Sequence, residues 1–317
     1  MILLQIVGYL FLLIASISSS VSMNFQKMAQ HEIFYHDPRT RNRKRIEPLR
    51  TSVFCRPLFI IAILLSAGAS ALDFMALTWL PPSTVGVFGS SSIIINLVVT
   101  RVILFEVPTK KEWVAITYVI LGCLLAISVT PEHGSGMPVP QLLDRTISYV
   151  YIILNWTVFL IFAAILKENK LPTTIQRIGY PFIGGALGAQ NVCMGKYIAY
   201  AFSEIKDGLL TVRLDTLMAC IILCIASIVL HIIWLNKGLE KHDAYYCIII
   251  YQTSWFMFTT LSGVFVYDDM SLLTTWQQFM FVMGLSIAVY GVKRISILHG
   301  EAAETGELNE IEELNEA

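Results

Sequence analysis

Most charged residues in this chain fall between nine apolar blocks, at 2–22, 57–80, 81–104, 113–130, 147–166, 180–200, 214–235, 243–266 and 275–292. Each block is about twenty residues long, the length that crosses a bilayer core as a helix. A backbone in lipid must satisfy its own hydrogen bonds, so helices are the predicted elements. Pro57, Pro81, Pro82, Pro108, Pro131 and Pro172 punctuate the blocks. Pro181 is expected in the first turn of the sixth, where a missing N–H costs nothing. The first block has small residues near its end, as a signal peptide does. It has no basic n-region and its apolar run is long, so it is expected to stay as a helix. The expected fold is all-α and polytopic, with nine transmembrane helices.

Composition agrees. Of 317 residues 56% are hydrophobic and 14% charged, against about 45–50% and about 25% in soluble domains. Mean hydropathy is +0.66, which excludes a water-soluble protein. Net charge is -1, so no nucleic-acid partner is suggested. Cys55, Cys123, Cys193, Cys220, Cys224 and Cys247 form no C-x-x-C and read as small apolar residues.

Basic residues assign the two sides. Arg39, Arg41, Arg43, Lys44, Arg45, Arg50 and Arg56 fall after block one; Lys110 and Lys111 after block three; Lys167, Lys170 and Arg177 after block five. Lys237 and Lys241 follow block seven, and Lys293 and Arg294 follow block nine. The opposite side receives Arg145, Lys206 and Arg213. The positive-inside rule then puts the amino terminus outside and the carboxyl terminus in the cytosol. The tail, with Glu301, Glu304, Glu307, Glu310, Glu312, Glu313 and Glu316, reads as solvated and partly helical, or as a cation-sensing or docking segment.

The chain also repeats. Ala76–Glu106 aligns without gaps on Gly238–Asp268 at an offset of 162, pairing Ala76 with Gly238, Leu77 with Leu239, Glu106 with Asp268 and, further on, Gly122 with Gly284. Block one resembles block six, each ending in a lysine, Lys27 and Lys196. Glu106 is expected on the cytosolic side and Asp268 outside, so the two halves form inverted repeats, a transporter signature with the substrate site between them. The expected organisation is a first half at 1–130, a linking helix and loops at 131–179, a second half at 180–296 and an acidic cytosolic tail at 297–317.

No enzyme constellation is present: no H-E-x-x-H, no G-x-S-x-G and no G-x-x-x-x-G-K. The sequon Asn155-Trp156-Thr157 lies within block five. Gly184, Gly185 and Gly188, and the run Ser66-Ala67-Gly68-Ala69-Ser70-Ala71, read as close-packing surfaces, with gating flexibility as the alternative. The sharper signals are ionisable residues within blocks, because each is costly in lipid unless paired or hydrated. Asp73 reads as a salt-bridge partner or a cation ligand. His231 reads as a packed neutral histidine or a proton relay. Asp73 lies 16 residues beyond Pro57 and Lys196 16 beyond Tyr180, so each sits ~24 Å along its helix. An Asp73–Lys196 pair that a cation could open is the expectation at that depth.

These residues resemble the NIPA-type magnesium transporters of the drug/metabolite transporter superfamily. The likeness runs from block one to block nine. It lies in Ser18-Ser19-Ser20 with Phe25-Gln26-Lys27, in Phe74-x-Ala76, and in Pro82-Ser83-x-Val85-x-x-x-Gly89-x-x-Ser92. It continues in Gly188-x-x-x-Val192-x-x-x-Lys196, Trp234-Leu235-Asn236-Lys237-Gly238-Leu239-Glu240 and Phe258-Thr259-Thr260. The resemblance implies a magnesium transporter, with Mg2+ as the transported substrate and no cofactor.

Three departures bear on substrate. Ala69-Ser70 stands where the family has G-E, Asp73 stands at its asparagine, and Val87 and Ile249 replace its prolines. A carboxylate moved one turn, from 70 to 73, keeps its helix face, and both helices are expected to run unbroken. Mg2+ is commonly held through one or two carboxylates and its own waters. The expected metal lining is Asp73 with Asn24, Ser92, Asn96 and Asn191, and Lys27, Lys196 and Asn236 are the expected gating residues. Two other readings stand beside it: a carrier of a small organic or anionic metabolite bound by Lys27 and Lys196, and a non-transporting membrane scaffold. The lipid bilayer is the expected partner, and an oligomer is compatible with all three.

Overall fold

A computed structural model describes residues 2–30, 56–77, 79–80, 82–104, 109–129, 139–167, 173–206, 213–242 and 244–316. Among them there is no strand. Ten helices follow one another: α1 (Ile2–Gln30), α2 (Pro57–Ala76), α3 (Pro82–Ile103), α4 (Lys110–Ser128), α5 (Val139–Leu143), α6 (Thr146–Lys167), α7 (Thr173–Lys206), α8 (Leu214–Lys241), α9 (Ala244–Phe265) and α10 (Thr275–Glu316). Among the described residues α1, α2, α6, α8, α9 and α10 are long and apolar enough to cross a membrane. Their outer faces carry Leu64, Ile153, Leu160, Ile222 and Trp276, all well exposed, as a lipid-facing surface requires. Helix α9 is enclosed instead, with Ile248, Ile249 and Ile250 fully buried.

The nine apolar blocks correspond to the nine long helices, with three differences. Helix α7 starts at Thr173, so Pro181 lies inside it rather than in its first turn. The residues Thr173–Tyr180 are polar enough to look like loop yet continue the helix. Pro181 removes one backbone bond there, and Gly238 of α8 makes room: a Cβ on it would lie 3.3 Å from Pro181 Cδ. Helix α5, a single turn with Val139, Leu142 and Leu143 buried, was hidden in an apparent loop. The tail continues α10 as one helix to Glu316. Residues 31–55, Glu106, Pro108, Pro131 and the segment 131–138 lie outside the described residues. Helices α3 and α9 run unbroken through Val87 and Ile249.

Packing follows the repeat. Helix α1 packs on α2 and α3, as α7 packs on α8 and α9; α1 also touches α8, as α7 touches α2. The equivalent pairs α3–α9 and α4–α10 pack directly on one another. The α4–α10 seam is tight because of two glycines at the offset of 162. A Cβ on Gly122 would lie 2.6 Å from Gly284 O, and one on Gly284 would lie 2.7 Å from Gly122 O. In the second half Gly185 lets α7 reach α9, where a Cβ would overlap Tyr251 O at 2.1 Å. Small residues at such seams allow backbones to approach. Gly68 differs, since nothing lies within 4 Å of its would-be Cβ.

Candidate functional site

Lys27 of α1 and Lys196 of α7 make the clearest geometry. Lys27 Nζ donates to Leu239 O at 2.5 Å and His242 O at 2.6 Å. Lys196 Nζ donates to Leu77 O and Leu80 O, the latter at 3.0 Å. Leu77 and Leu239, and Leu80 and His242, are each 162 apart. Each lysine therefore clasps the carboxyl end of the second helix of the other half. The backbone beneath matches too: Leu80 N–H donates to Ala76 O at 2.9 Å and His242 N–H to Gly238 O at 3.1 Å. Helix ends carry unpaired carbonyls and partial negative charge, which an ammonium satisfies.

This arrangement changes the expected lock. The Lys196 ammonium is committed to the α2 carbonyls, and it forms no ion pair with Asp73. Equal depth along two helices did not bring the charges together.

Asp73 instead lines a cavity of about 360 Å³ between α1, α2, α3, α7, α8 and α9. Its walls include Ser16 and Ser19 of α1, Ser70 and Asp73 of α2, Ser92 of α3, Asn191 of α7, His231 of α8, and Tyr251 and Gln252 of α9. Apolar contacts come from Leu12, Phe74, Val192, Ile228 and Trp255. Ser70 and Asp73, one turn apart, share this wall. Ala67, Ser70 and Ala71 line the cavity too, so the small-residue run of α2 opens a space rather than closing a seam.

Of the expected metal residues, Asp73, Ser92 and Asn191 reach the cavity. Asn191 Oδ1 accepts from Ser227 Oγ. Asn24 and Asn96 do not line the cavity; they bond to each other, with Asn96 Nδ2 left unpartnered. Asn24 Nδ2 donates to Asn96 Oδ1 at 2.8 Å, and Asn24 Oδ1 accepts from Thr100 Oγ1 at 2.9 Å. They hold α1 to α3 away from the cavity wall. Asn236 Nδ2 donates to Gln26 Oε1 at 2.9 Å and Ile232 O at 2.8 Å, tying α8 to α1 near the Lys27 clasp. Asn155 is buried and bonded to Tyr151 O at 2.7 Å, which removes the sequon from use.

Two residues of the cavity were not among the expected metal or gating residues. Gln252 is 3% exposed, and neither its Nε2 nor its Oε1 has a hydrogen-bond partner. His231, 9% exposed, has an unpartnered Nδ1 and a ring centroid 6.2 Å from that of Tyr251. An unmade buried hydrogen bond costs about 1–3 kcal/mol, so these atoms are open to a bond with water or a ligand in the cavity; the Gln190 amide, equally unpartnered, lies off it. Gln252 was legible only as a lone amide in an apolar helix. Among the described residues no group of three or more His, Cys, Asp or Glu side chains could cage a metal ion.

The family model described as magnesium transporter NIPA matches residues 3–300. Two Arabidopsis thaliana proteins are similar to the chain. One, named "Probable magnesium transporter NIPA8", is 19% identical over 252 residues, covering 74% of this chain and 57% of that protein. The other, named "Probable magnesium transporter NIPA6", is 23% identical over 209 residues, covering 66% of this chain and 63% of its own length. The chain thus spans less than two thirds of either relative. No solved structure is significantly similar to it.

Proposed function

This chain belongs to the NIPA magnesium transporter family, a family of non-enzymatic, multi-pass membrane proteins, and on that premise we propose that it carries Mg2+ across the bilayer through the Asp73 cavity. The observation that carries this reading is a carboxylate on a helix wall of a partly open cavity with mixed polar and apolar lining. A carboxylate in a membrane span is costly unless it faces a cavity or a partner, and marks an ion path. The nine long helices are read as nine crossings in two inverted repeats, with the amino terminus outside and the carboxyl terminus cytosolic by the positive-inside rule. An inside-negative potential of 100 mV supplies about 4.6 kcal/mol for a divalent ion, so no nucleotide is needed.

In this orientation Lys27 sits at the cytosolic end and Lys196 at the outer end. The two clasps then act as gates, one opening to each side in an alternating-access cycle. The anion-carrier reading is weaker because neither lysine lines the cavity; both donate to helix carbonyls. A scaffold has no use for the unpartnered amide and imidazole nitrogen at the cavity.

The test is Mg2+ uptake into proteoliposomes holding the purified full chain, under an inside-negative potential. Uptake that Asp73→Asn abolishes, with the variant still folded, supports the reading. Undiminished uptake by that variant removes Asp73 from the path.

A further inference from the structure

Building on the Mg2+ reading, we infer that the cavity binds the ion with its water shell in place, and that Gln252 and His231 are the groups that read that shell. The argument starts from what the cavity lacks. Bare Mg2+ requires an octahedron of oxygen ligands at close range and gives up water reluctantly. The cavity wall offers one carboxylate, Asp73, and no cluster of metal-ligating side chains is present among the described residues. Space is ample instead: six waters at ~30 Å³ each take up ~180 Å³, against about 360 Å³.

A hydrated Mg2+ shows its surroundings only O–H donors, since every water oxygen points at the metal. Its site therefore needs acceptors. Gln252 Oε1 is buried with no partner within the protein, and the His231 ring, which also faces the Ser227 carbonyl, lines the same cavity. An amide oxygen and the bare nitrogen of a neutral imidazole both accept. Asp73 supplies the charge, and the hydroxyls of Ser16, Ser19 and Ser70 can turn to accept as well. Neutral acceptors around one carboxylate suit an ion whose charge is already spread over six waters. They suit poorly an ion that must be stripped.

This assigns Gln252 and His231 to substrate binding. It also predicts that the site takes hexaamminecobalt(III), whose six ammines exchange too slowly to be lost and donate N–H bonds outward as the waters do.

The experiment measures Mg2+ uptake by the reconstituted full chain against hexaamminecobalt(III). Competitive inhibition is expected. Gln252→Met should raise both the KM for Mg2+ and the inhibition constant about three- to tenfold, the loss of one hydrogen bond. Gln252→Glu, which keeps the acceptor, should leave both unchanged or tighter; a purely structural glutamine would treat the two variants alike. If wild-type protein carries Mg2+ and hexaamminecobalt(III) at a hundredfold excess over KM leaves it untouched, the ion enters stripped and the inference is overturned, while the transport reading stands. If wild-type protein carries no Mg2+, the transport reading falls. Calorimetric titration of hexaamminecobalt(III) into the same protein then decides the inference: binding weakened by Gln252→Met upholds it, and no binding ends it.

Discussion

The two halves of this molecule use one scaffold and two chemistries. The clasps are equivalent donor for donor, with Lys27 on Leu239 and His242 and Lys196 on Leu77 and Leu80. The glycine seam is equivalent as well. The cavity walls are not. The position 162 beyond Asp73 is Leu235, buried in the core, and the position 162 before His231 is Ala69. Both Ala69 and His231 line the cavity, one small and apolar, the other polar. The correspondence holds at the clasps and the glycine seam and is lost at the cavity wall.

Breaking the asymmetric part should cost the most function. Asp73→Asn should reduce Mg2+ uptake at least a hundredfold, while Leu235→Met, its counterpart, should leave uptake near wild type. A variant Leu235→Met that abolished uptake with stability intact would make the chemistry symmetric after all. Initial rates in proteoliposomes decide this.

The symmetric clasps come next. Each lysine makes two charge-assisted bonds, worth about 1.5–3 kcal/mol apiece. Lys27→Met and Lys196→Met should each destabilise the closed arrangement by roughly 2–4 kcal/mol, discounting for relaxation and water entry. Labelling of a cysteine placed at Ser16 in the cavity should then rise from the cytosolic side in the first variant and from the outer side in the second. Equal labelling from one side in both would remove the gating role.

Smaller effects should follow at the seam. Gly122→Ala and Gly284→Ala put a Cβ 2.6 and 2.7 Å from the opposite carbonyl, so each should cost about 1–3 kcal/mol. Matched shifts in thermal unfolding would sharpen the equivalence of the halves, and a large inequality would break it. The smallest effect on transport is expected at Asn96→Leu. It should lower stability by about 1 kcal/mol and leave the KM for Mg2+ unchanged, since the Asn24–Asn96 pair lies off the cavity.

Much of this was legible in the residues. The apolar blocks located every long helix, and the offset of 162 linked Gly122 with Gly284 before any contact was visible. Lys27 and Lys196 were recognisable as a pair. Their acceptors were not, because main-chain carbonyls at a helix end leave no trace in side-chain spelling. Asn24 and Asn96 looked like cavity residues because a polar side chain in an apolar helix reads the same whether it meets a substrate or a neighbour. Gln252 was passed over for the opposite reason: an uncharged amide does not announce its cost as Asp73 does. Pro181 misled because the polar turn before it, Thr173–Tyr180, resembles a loop.

The α4–α10 seam has a consequence for how the protein is made. Helix α4 leaves the ribosome about 150 residues before α10, the partner whose Gly284 it meets. At 5–20 residues per second that is a wait of roughly ten to thirty seconds. During that time the bare Gly122 face is exposed to lipid or to the insertion machinery. Any premature stop in the second half would leave it so, giving quality control a structural mark by which to recognise an unfinished chain.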